Sequence, residues 1–220
     1  MMGATGYRKS FLKMRLTRKV KRANFPQHLM KRSSGFTLIE LLVVISIIGI
    51  LASLAIPAVL GGIAKAQMTQ ALSNMKQLHL TCMQMSLDGT TTGDTNLAWP
   101  GTYASYSVWA TNVAPSYISS NDFAKIMSVA GAIVSSANVG GGNTNGIMVA
   151  KADGSDGGQV LCYSRNVTPG QSGAAWATNA NLLFSSKGFV VFRVGGDGGV
   201  YLLPKQLTST NLLGTFSNNL

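Results

Sequence analysis

The carboxylate of Glu40 stands at the start of a long run of residues that carry no charge. No Asp, Glu, Lys or Arg follows it between residues 41 and 64. An acidic side chain costs about 2.5–3.5 kcal/mol near the centre of a membrane helix, and less near the interface. Such a group is usually retained because it pairs with another group. The sequence therefore predicts that Glu40 has a partner.

Few other side chains are placed to do chemistry. Cys82 and Cys162 could form a disulfide in an oxidising compartment, or both could be small buried hydrophobic residues. His79 lies three residues before Cys82, but two potential ligands without others nearby make a poor metal site. The chain has only two histidines, and no acid–base pair or activated nucleophile can be recognised. We therefore expect no enzyme.

One segment, Asp153-Gly154-Ser155-Asp156-Gly157, resembles a fragment of a calcium-binding loop. A complete loop of that kind needs a later glutamate that binds through both oxygens, and none follows. We interpret the segment as an ordinary turn, with Asp153 and Asp156 kept as candidate calcium ligands. No other metal and no other cofactor is expected.

The uncharged run after Glu40 is long enough to cross a membrane. As a helix, residues 41–64 measure roughly 36 Å at about 1.5 Å per residue, against a hydrocarbon core of about 30 Å. A secretory signal has an apolar region of only about 7–15 residues, which fits this run poorly. The sequence therefore predicts a membrane-spanning helix.

Charge is distributed very unevenly along the chain. The formal net charge is +11, and residues 1–35 hold ten of the 18 Lys and Arg and none of the seven acids. Positive charge before a membrane span predicts a cytoplasmic N-terminus and a translocated C-terminal region. The rest of the chain carries only +1, so nucleic-acid binding is not expected.

The segment Gly35-Phe36-Thr37-Leu38-Ile39-Glu40-Leu41-Leu42-Val43-Val44-Ile45 resembles the N-terminal signature of type IV pilins and of the pseudopilins of type II secretion. The resemblance is close over residues 31–63 and includes Pro57, where that family commonly carries a helix-kinking proline. Beyond this region the resemblance is one of architecture only. Some pseudopilins bind calcium in their C-terminal region, which is why Asp153 and Asp156 stay candidates.

The resemblance implies a maturation route. Residues 1–35 would be a basic leader that a prepilin peptidase removes by cutting between Gly35 and Phe36. The new amine of Phe36 would be N-methylated, and Glu40 would meet the N-terminal amine of a neighbouring subunit during assembly. Residues 36–63 would be the membrane and assembly half of a long helix, with a kink at Pro57 where the Ser53 hydroxyl could bond the freed backbone groups.

The helix should continue beyond the membrane as an amphipathic half over residues 64–88. Small and apolar residues recur there at spacings of three and four, which predicts one buried stripe. Asp88-Gly89 and the threonines that follow should end the helix. A stripe rich in methionine is typical of core packing rather than of a metal site. The stripe comprises Ala64, Met68, Ala71, Met75, Leu78, Cys82 and Met85.

Residues 89–220 should form a small C-terminal domain. Residues 103–109 could be irregular or a short strand, and Ser119 or Ser120 should cap a helix over 121–129. A glycine-rich turn at 195–199 indicates a hairpin. The fold class predicted is α+β, pilin-like, with a long N-terminal helix packed on a small antiparallel sheet. The strand candidates are residues 147–151, 159–164, 189–194 and 200–203.

These features favour a structural subunit, either a pseudopilin or a minor-pilin-like protein. It would be a single-pass inner-membrane precursor whose mature domain is periplasmic or lies on an extracellular fibre. Its partners would be the prepilin peptidase, other pilin or pseudopilin subunits and an inner-membrane assembly platform. Two alternatives stay open: a membrane-anchored extracytoplasmic binding module that does not polymerise, and a DNA-uptake pilin.

Overall fold

The computed structural model describes residues 35–130, 132, 135–136, 140, 146–168, 177–178, 183–203, 214–216 and 219–220. The predicted leader up to residue 34 lies outside the described residues. The chain divides into two compact units, Met1–Ile45 and Ser46–Leu220.

A single helix of 55 residues, α1, spans Leu38–Thr92. Every residue of α1 before Gly61 is exposed, and the first buried one is Ala64. Within the described part of the chain, α1 is the one helix long and apolar enough to cross a membrane. Pro57 lies inside it, and the kink expected there remains a prediction. The Ser53 hydroxyl donates to the carbonyl of Ile50 at 2.8 Å, three residues earlier, so it does not serve the groups freed by Pro57.

The helix ends at Thr92, the last of the threonines that the sequence predicts as its end. Thr90, Thr91 and Thr92 bond their hydroxyls back to the carbonyls of Leu87 and Asp88, which lets them stay helical. The chain turns at Gly93, whose φ of +74° is the left-handed conformation that favours glycine at a helix end.

The second half of α1 supplies one side of the domain core. All seven residues of the predicted stripe are buried, so the expectation of a core-facing methionine stripe is confirmed. A close approach to the sheet occurs at Gly188, where an added Cβ would lie 2.5 Å from the sulfur of Met68. Glycine at the start of that strand therefore lets the helix and the sheet pack in contact.

Two short helices follow α1: α2 spans Tyr106–Val113 and α3 spans Ser120–Met127. The possibility of a strand near 103–109 is wrong, because Ser105 caps α2 by accepting a hydrogen bond from the backbone N–H of Val108. The buried residues of α2 are spaced as one helical face. The expected α3 is confirmed, with Ser119 as its cap, and it ends at Met127.

The sheet is antiparallel with the order β1-β2-β5-β6, where β1 is Ile147–Val149, β2 is Val160–Ser164, β5 is Gly188–Arg193 and β6 is Gly198–Leu202. All four strand candidates are confirmed. The predicted hairpin joins β5 to β6, and its register pairs Val190 with Val200. A second, two-stranded sheet pairs β3, Val167–Thr168, with β4, Ala177–Thr178. The fold is therefore α+β, as predicted.

Both faces of β5 are buried. Val190 and Phe192 join the core cluster beside α1, whereas Phe189 and Val191 belong to a separate cluster on the other face. A strand covered on both sides is expected to be nearly continuously apolar, as this one is. The sequence prediction foresaw only the face that covers the helix stripe.

Candidate functional site at the start of the long helix

Thr37 and Glu40 hold each other at the N-terminus of α1. The backbone N–H of Thr37 donates to Oε2 of Glu40 at 2.8 Å, and the Thr37 hydroxyl donates to the same oxygen at 2.6 Å. In return, the backbone N–H of Glu40 donates to the Thr37 hydroxyl oxygen at 3.3 Å. This reciprocal pattern is a capping box, and the negative charge lies at the positive end of the helix dipole.

The surroundings of Glu40 are apolar and open. Phe36, Ile39, Val43 and Val44 line, together with Glu40, an open depression of about 340 Å³. Phe36 is 74% exposed and Ile39 is 68% exposed. The carboxylate therefore sits at the edge of an apolar surface that no described residue covers.

Gly35 precedes this surface and is itself exposed. A Cβ added at Gly35 would meet nothing within 4 Å. The packing of this chain consequently does not require glycine at position 35. A molecule that approaches the Gly35–Phe36 peptide bond closely would supply a reason for glycine that the described residues do not.

The apolar surface continues along the helix as far as Ile63, which is 49% exposed. Exposed apolar area of this extent marks contact with a membrane or with other chains. Burial of this surface is favourable by roughly 25 cal/mol per Å². The large exposed side chains of this stretch are Phe36, Leu38, Ile39, Leu41, Leu42, Val43, Val44, Ile45, Ile47, Ile48, Ile50, Leu51, Leu54, Ile56, Val59, Leu60 and Ile63.

The structure places the two cysteines in one core cluster, Cys82 on α1 and Cys162 on β2. Both are free thiols here. Burial raises the pKa of Cys82 to about 12, and burial raises the pKa of Cys162 well above its ordinary value. Because the thiolate is the reactive form, we expect both thiols to react slowly in the folded state. A disulfide between them remains a prediction.

The candidate calcium ligands are engaged in turn hydrogen bonds. Oδ1 of Asp153 accepts bonds from the backbone N–H and hydroxyl of Ser155 and from the Gln159 amide, which lower the pKa of Asp153 to about 2. Oδ1 of Asp156 accepts from the backbone N–H of Gly158 at 2.8 Å. No group of three or more His, Cys, Asp or Glu that could hold a metal occurs among the described residues. Calcium binding remains a prediction.

His79 has a structural position that the sequence did not reveal. It is 7% exposed, and its Nε2 lies 2.7 Å from the carbonyl oxygen of Val194, so Nε2 carries the proton and donates it. Its ring lies near those of Trp99 and Phe192, with centroid separations of 5.8 Å and 5.4 Å. This contact fastens α1 to the turn between β5 and β6.

The structure combines an exposed apolar helix half, a carboxylate at the start of that helix and a small α+β domain on its second half. This combination fits a membrane-anchored protein. Residues 30–56 match the model of the prokaryotic N-terminal methylation motif. The N-terminal segment of this chain is therefore similar to that of type IV pilins and pseudopilins, as the resemblance indicated.

Individual proteins show the same similarity. The chain is 42% identical over 67 residues to the type IV major fimbrial protein FimA of Dichelobacter nodosus, which covers 30% of this chain and 43% of FimA. It is 45% identical over 60 residues to a fimbrial protein of Pseudomonas aeruginosa, covering 27% and 39% of the two chains. It is also 45% identical over 58 residues to the type II secretion system core protein G of Aeromonas hydrophila, covering 26% and 41%.

In these alignments the chain spans less than half the length of the curated relatives it matches. No solved structure matches the chain significantly.

Proposed function

We propose that this chain is a structural subunit, a pseudopilin or minor-pilin-like protein, that is added to a type II secretion pseudopilus or a type IV pilus-like fibre. Its role is assembly rather than catalysis. The methylation motif and the similarity to fimbrial proteins and to core protein G support the proposal.

The proposed route begins at the inner membrane. The precursor is a single-pass protein with a cytoplasmic N-terminus, and its C-terminal domain lies in the periplasm. A prepilin peptidase cuts between Gly35 and Phe36, and the amine of Phe36 is methylated. An inner-membrane assembly platform then moves the mature subunit from the lipid into the fibre. The concentration of basic residues before Gly35 supports this orientation.

One observation carries the proposal: the first half of α1 is apolar, wholly exposed and marked at its start by a single carboxylate. In lipid the exposed side chains are solvated by hydrocarbon, and in a fibre they pack against the same side chains of neighbouring copies. Glu40 then pairs with the Phe36 amine of a neighbour. A carboxylate in an apolar environment is stabilised in its ionised form by such a cation, so the pairing rewards correct docking.

The test is expression in a bacterial host that supplies a prepilin peptidase and an assembly platform. Mass spectrometry should find a mature N-terminus at methylated Phe36, and the protein should appear in sheared fibres. Glu40→Ala should be trimmed normally but recovered in few fibres. Thr69→Ala is the matched control, because Thr69 is an exposed polar residue of the same helix that bonds only to the carbonyl of Lys65. A mature chain that begins elsewhere, or wild-type protein never found in polymer, would overturn the proposal.

A further inference from the structure

We propose that Lys65 and Lys187 together bind the phosphate group of an anionic phospholipid in the periplasmic leaflet of the membrane. The proposal rests on the proposed function, in which residues 36–63 of the subunit cross the inner membrane. It adds a contact between the folded domain and the lipid headgroups to the anchoring that the apolar helix provides.

The two lysines come from different parts of the fold and meet on one side of α1. Lys187 directly precedes β5, and its Nζ lies 3.4 Å from the position that a Cβ would occupy on Gly61. Gly61 and Lys65 are four residues apart in α1, so they occupy the same face of the helix, one above the other. Side chains of an α-helix lean toward its N-terminus, which favours an approach of the Lys65 side chain to the turn that holds Gly61.

The backbone of Lys187 is fixed on the domain. Its N–H donates to the carbonyl of Phe184 at 3.1 Å, and its carbonyl accepts from the N–H of Leu203 at 3.2 Å. The next residue, Gly188, is itself in close contact with α1. Lys187 therefore reaches the helix from a fixed strand start, and the missing side chain of Gly61 leaves room for its ammonium group.

No acidic side chain of the protein pairs with either ammonium group. All seven acidic residues of the chain are among the described residues, and none forms an ion pair with Lys65 or Lys187. Asp197 pairs with Arg193 in the β5–β6 turn, which lies beside His79, about 21 Å along α1 from Lys65. Two positive charges held near each other repel, so an anion that contacts both stabilises the arrangement.

The level of the two lysines along α1 identifies the anion. The exposed apolar surface of this helix, which is long and apolar enough to cross a membrane, extends to Ile63. Both lysines are exposed and flank the last turn of that surface. When the apolar stretch lies in hydrocarbon, the next groups outward are the lipid headgroups, and Lys near this surface is attracted to anionic lipid. The phosphate of a headgroup is therefore the anion placed to meet both.

The test is acylation of lysine amines by an uncharged, soluble reagent, with the full chain in lipid nanodiscs and peptide mass spectrometry as the readout. One set of nanodiscs contains only phosphatidylcholine, and the other contains roughly one-third phosphatidylglycerol. An amine held by a phosphate reacts slowly, so the acylation rates of Lys65 and Lys187 should fall at least about fivefold in the anionic nanodiscs, the scale of one lysine–headgroup contact.

Lys76 is the internal control for this measurement. It is exposed on the same helix, about 16 Å beyond Lys65, which exceeds a Debye length of about 8–10 Å. Its acylation rate should change by less than about twofold between the two nanodiscs.

A shared phosphate also couples the two lysines to each other. Lys187→Gln should raise the acylation rate of Lys65 in anionic nanodiscs toward its rate in phosphatidylcholine. Lys187→Arg, which keeps the charge, should preserve the protection of Lys65, and so should the matched control Lys76→Gln. A merely structural effect of Lys187 on the helix would instead change the rate of Lys65 equally in both nanodiscs.

Three results would overturn the site. The first is equal acylation of both lysines in the two nanodiscs, and the second is protection of Lys65 that survives Lys187→Gln. The third is equal protection by inorganic phosphate added to phosphatidylcholine nanodiscs, which would assign the lysines to a free anion rather than to a lipid. None of these results bears on the cut before Phe36 or on recovery in sheared fibres, so the proposed function stands or fails by its own test.

Discussion

At the scale of single residues, Glu40 is a charged side chain in apolar surroundings. It is the only acid between residue 1 and residue 87 of the chain, and it lies among exposed apolar side chains. Its bonds to Thr37 provide an intramolecular reason for its place, because they satisfy donors that every helix leaves free at its N-terminus. The proposed partner in a fibre would be a second reason, and the two can be tested separately.

Gly35 can be substituted without a clash with the described residues. Because a Cβ at Gly35 would meet nothing within 4 Å, Gly35→Leu should leave the structure of this chain unchanged. We expect the variant to accumulate as uncut precursor, since a bulky side chain prevents the close approach of a peptidase. Gel mobility and the intact mass of the membrane-bound protein measure the cleavage.

The control for that substitution is Gly49→Leu. Gly49 is also exposed, and a Cβ there likewise meets nothing within 4 Å, but the residue is remote in sequence from the cut. It should be trimmed as wild type is. Normal trimming of Gly35→Leu would show that glycine is not required at the site.

The thiols of Cys82 and Cys162 should react slowly in the folded protein. At pH 8 the raised pKa of Cys82, about 12, leaves on the order of one thiolate in ten thousand, and alkylation needs the thiolate. We expect alkylation of reduced, folded protein to be at least about a hundredfold slower than after unfolding, because unfolding returns the pKa to about 8.5. The rate should increase as the pH rises toward 10, since the thiolate fraction grows.

Protein isolated without reductant extends the same measurement to the disulfide. After unfolding, two alkylated cysteines would show that Cys82 and Cys162 are free, and none would show that they are paired. Cys82→Ala provides the reference with a single thiol. Rapid alkylation of either cysteine in the folded, reduced chain would contradict the burial of that cysteine.

At the scale of elements, α1 was predicted in most of its detail. The spacing of three and four from Ala64 to Met85 predicts seven buried residues, and all seven are buried. The prediction succeeds because a single helical period runs through the whole stretch. The sequence also contains the pattern Thr37-x-x-Glu40, a recognised capping signal, but the prediction for Glu40 was based on its membrane position and on its pairing with a neighbouring subunit and not on this cap. The helix reaches the last of the threonines predicted to end it, because their hydroxyls bond back to helical carbonyls.

Other elements could be predicted only in part. The strands were found from their apolar runs, but the pairing of β2 with β5 joins segments that are distant in sequence, and local patterns do not determine it. The bulge between Val160 and Cys162, which places Leu161 and Cys162 in the same core cluster, is equally non-local. The start of α2 was missed although Ser105 is a good cap, because the aromatic residues near it suggested a strand.

The contact between α1 and the β5–β6 turn gives a prediction about stability. His79→Phe keeps an aromatic ring beside Trp99 and Phe192 but removes the donor to the Val194 carbonyl. A buried carbonyl left without its bond costs about 1–3 kcal/mol, and we expect the free energy of unfolding to fall by that amount. Urea unfolding of the detergent-solubilised chain measures it.

Leu80→Ala is the matched control for His79→Phe. Leu80 is next to His79 on the same helix, but its side chain is 54% exposed. Its replacement should change the free energy of unfolding by less than about 0.5 kcal/mol, as is usual for surface substitutions. Equal stability of His79→Phe and wild type would show that the bond to Val194 contributes nothing.

At the scale of the whole molecule, the described core begins abruptly. All buried side chains of the described residues lie at Ala64 or later, and residues 35–60 are all exposed. A chain that consists of residues 64–220 therefore retains every described core contact. We expect it to fold and to remain soluble without detergent, while the chain from Phe36 onward requires detergent or lipid.

Size-exclusion chromatography and near-ultraviolet circular dichroism of the truncated chain check this expectation. Met75→Asp in the same truncated chain is the reference for a disrupted core, because Met75 is fully buried and an unpaired buried charge is strongly destabilising. Aggregation of the truncated chain to the same degree as Met75→Asp would mean that residues before 64 are needed for folding.

One helix, α1, carries both the exposed apolar surface and one side of the domain core, and this has a mechanical consequence. From Ser46 onward the helix belongs to the same compact unit as the sheet, and its own side chains, from Met68 to Met85, are the domain's interior. Within this unit the exposed apolar residues 46–60 and the buried stripe lie on one uninterrupted helix. Tension applied to residues 46–60 would thus pass directly into the packed methionines and strands, and the sheet could be pulled from the helix only by unfolding the domain.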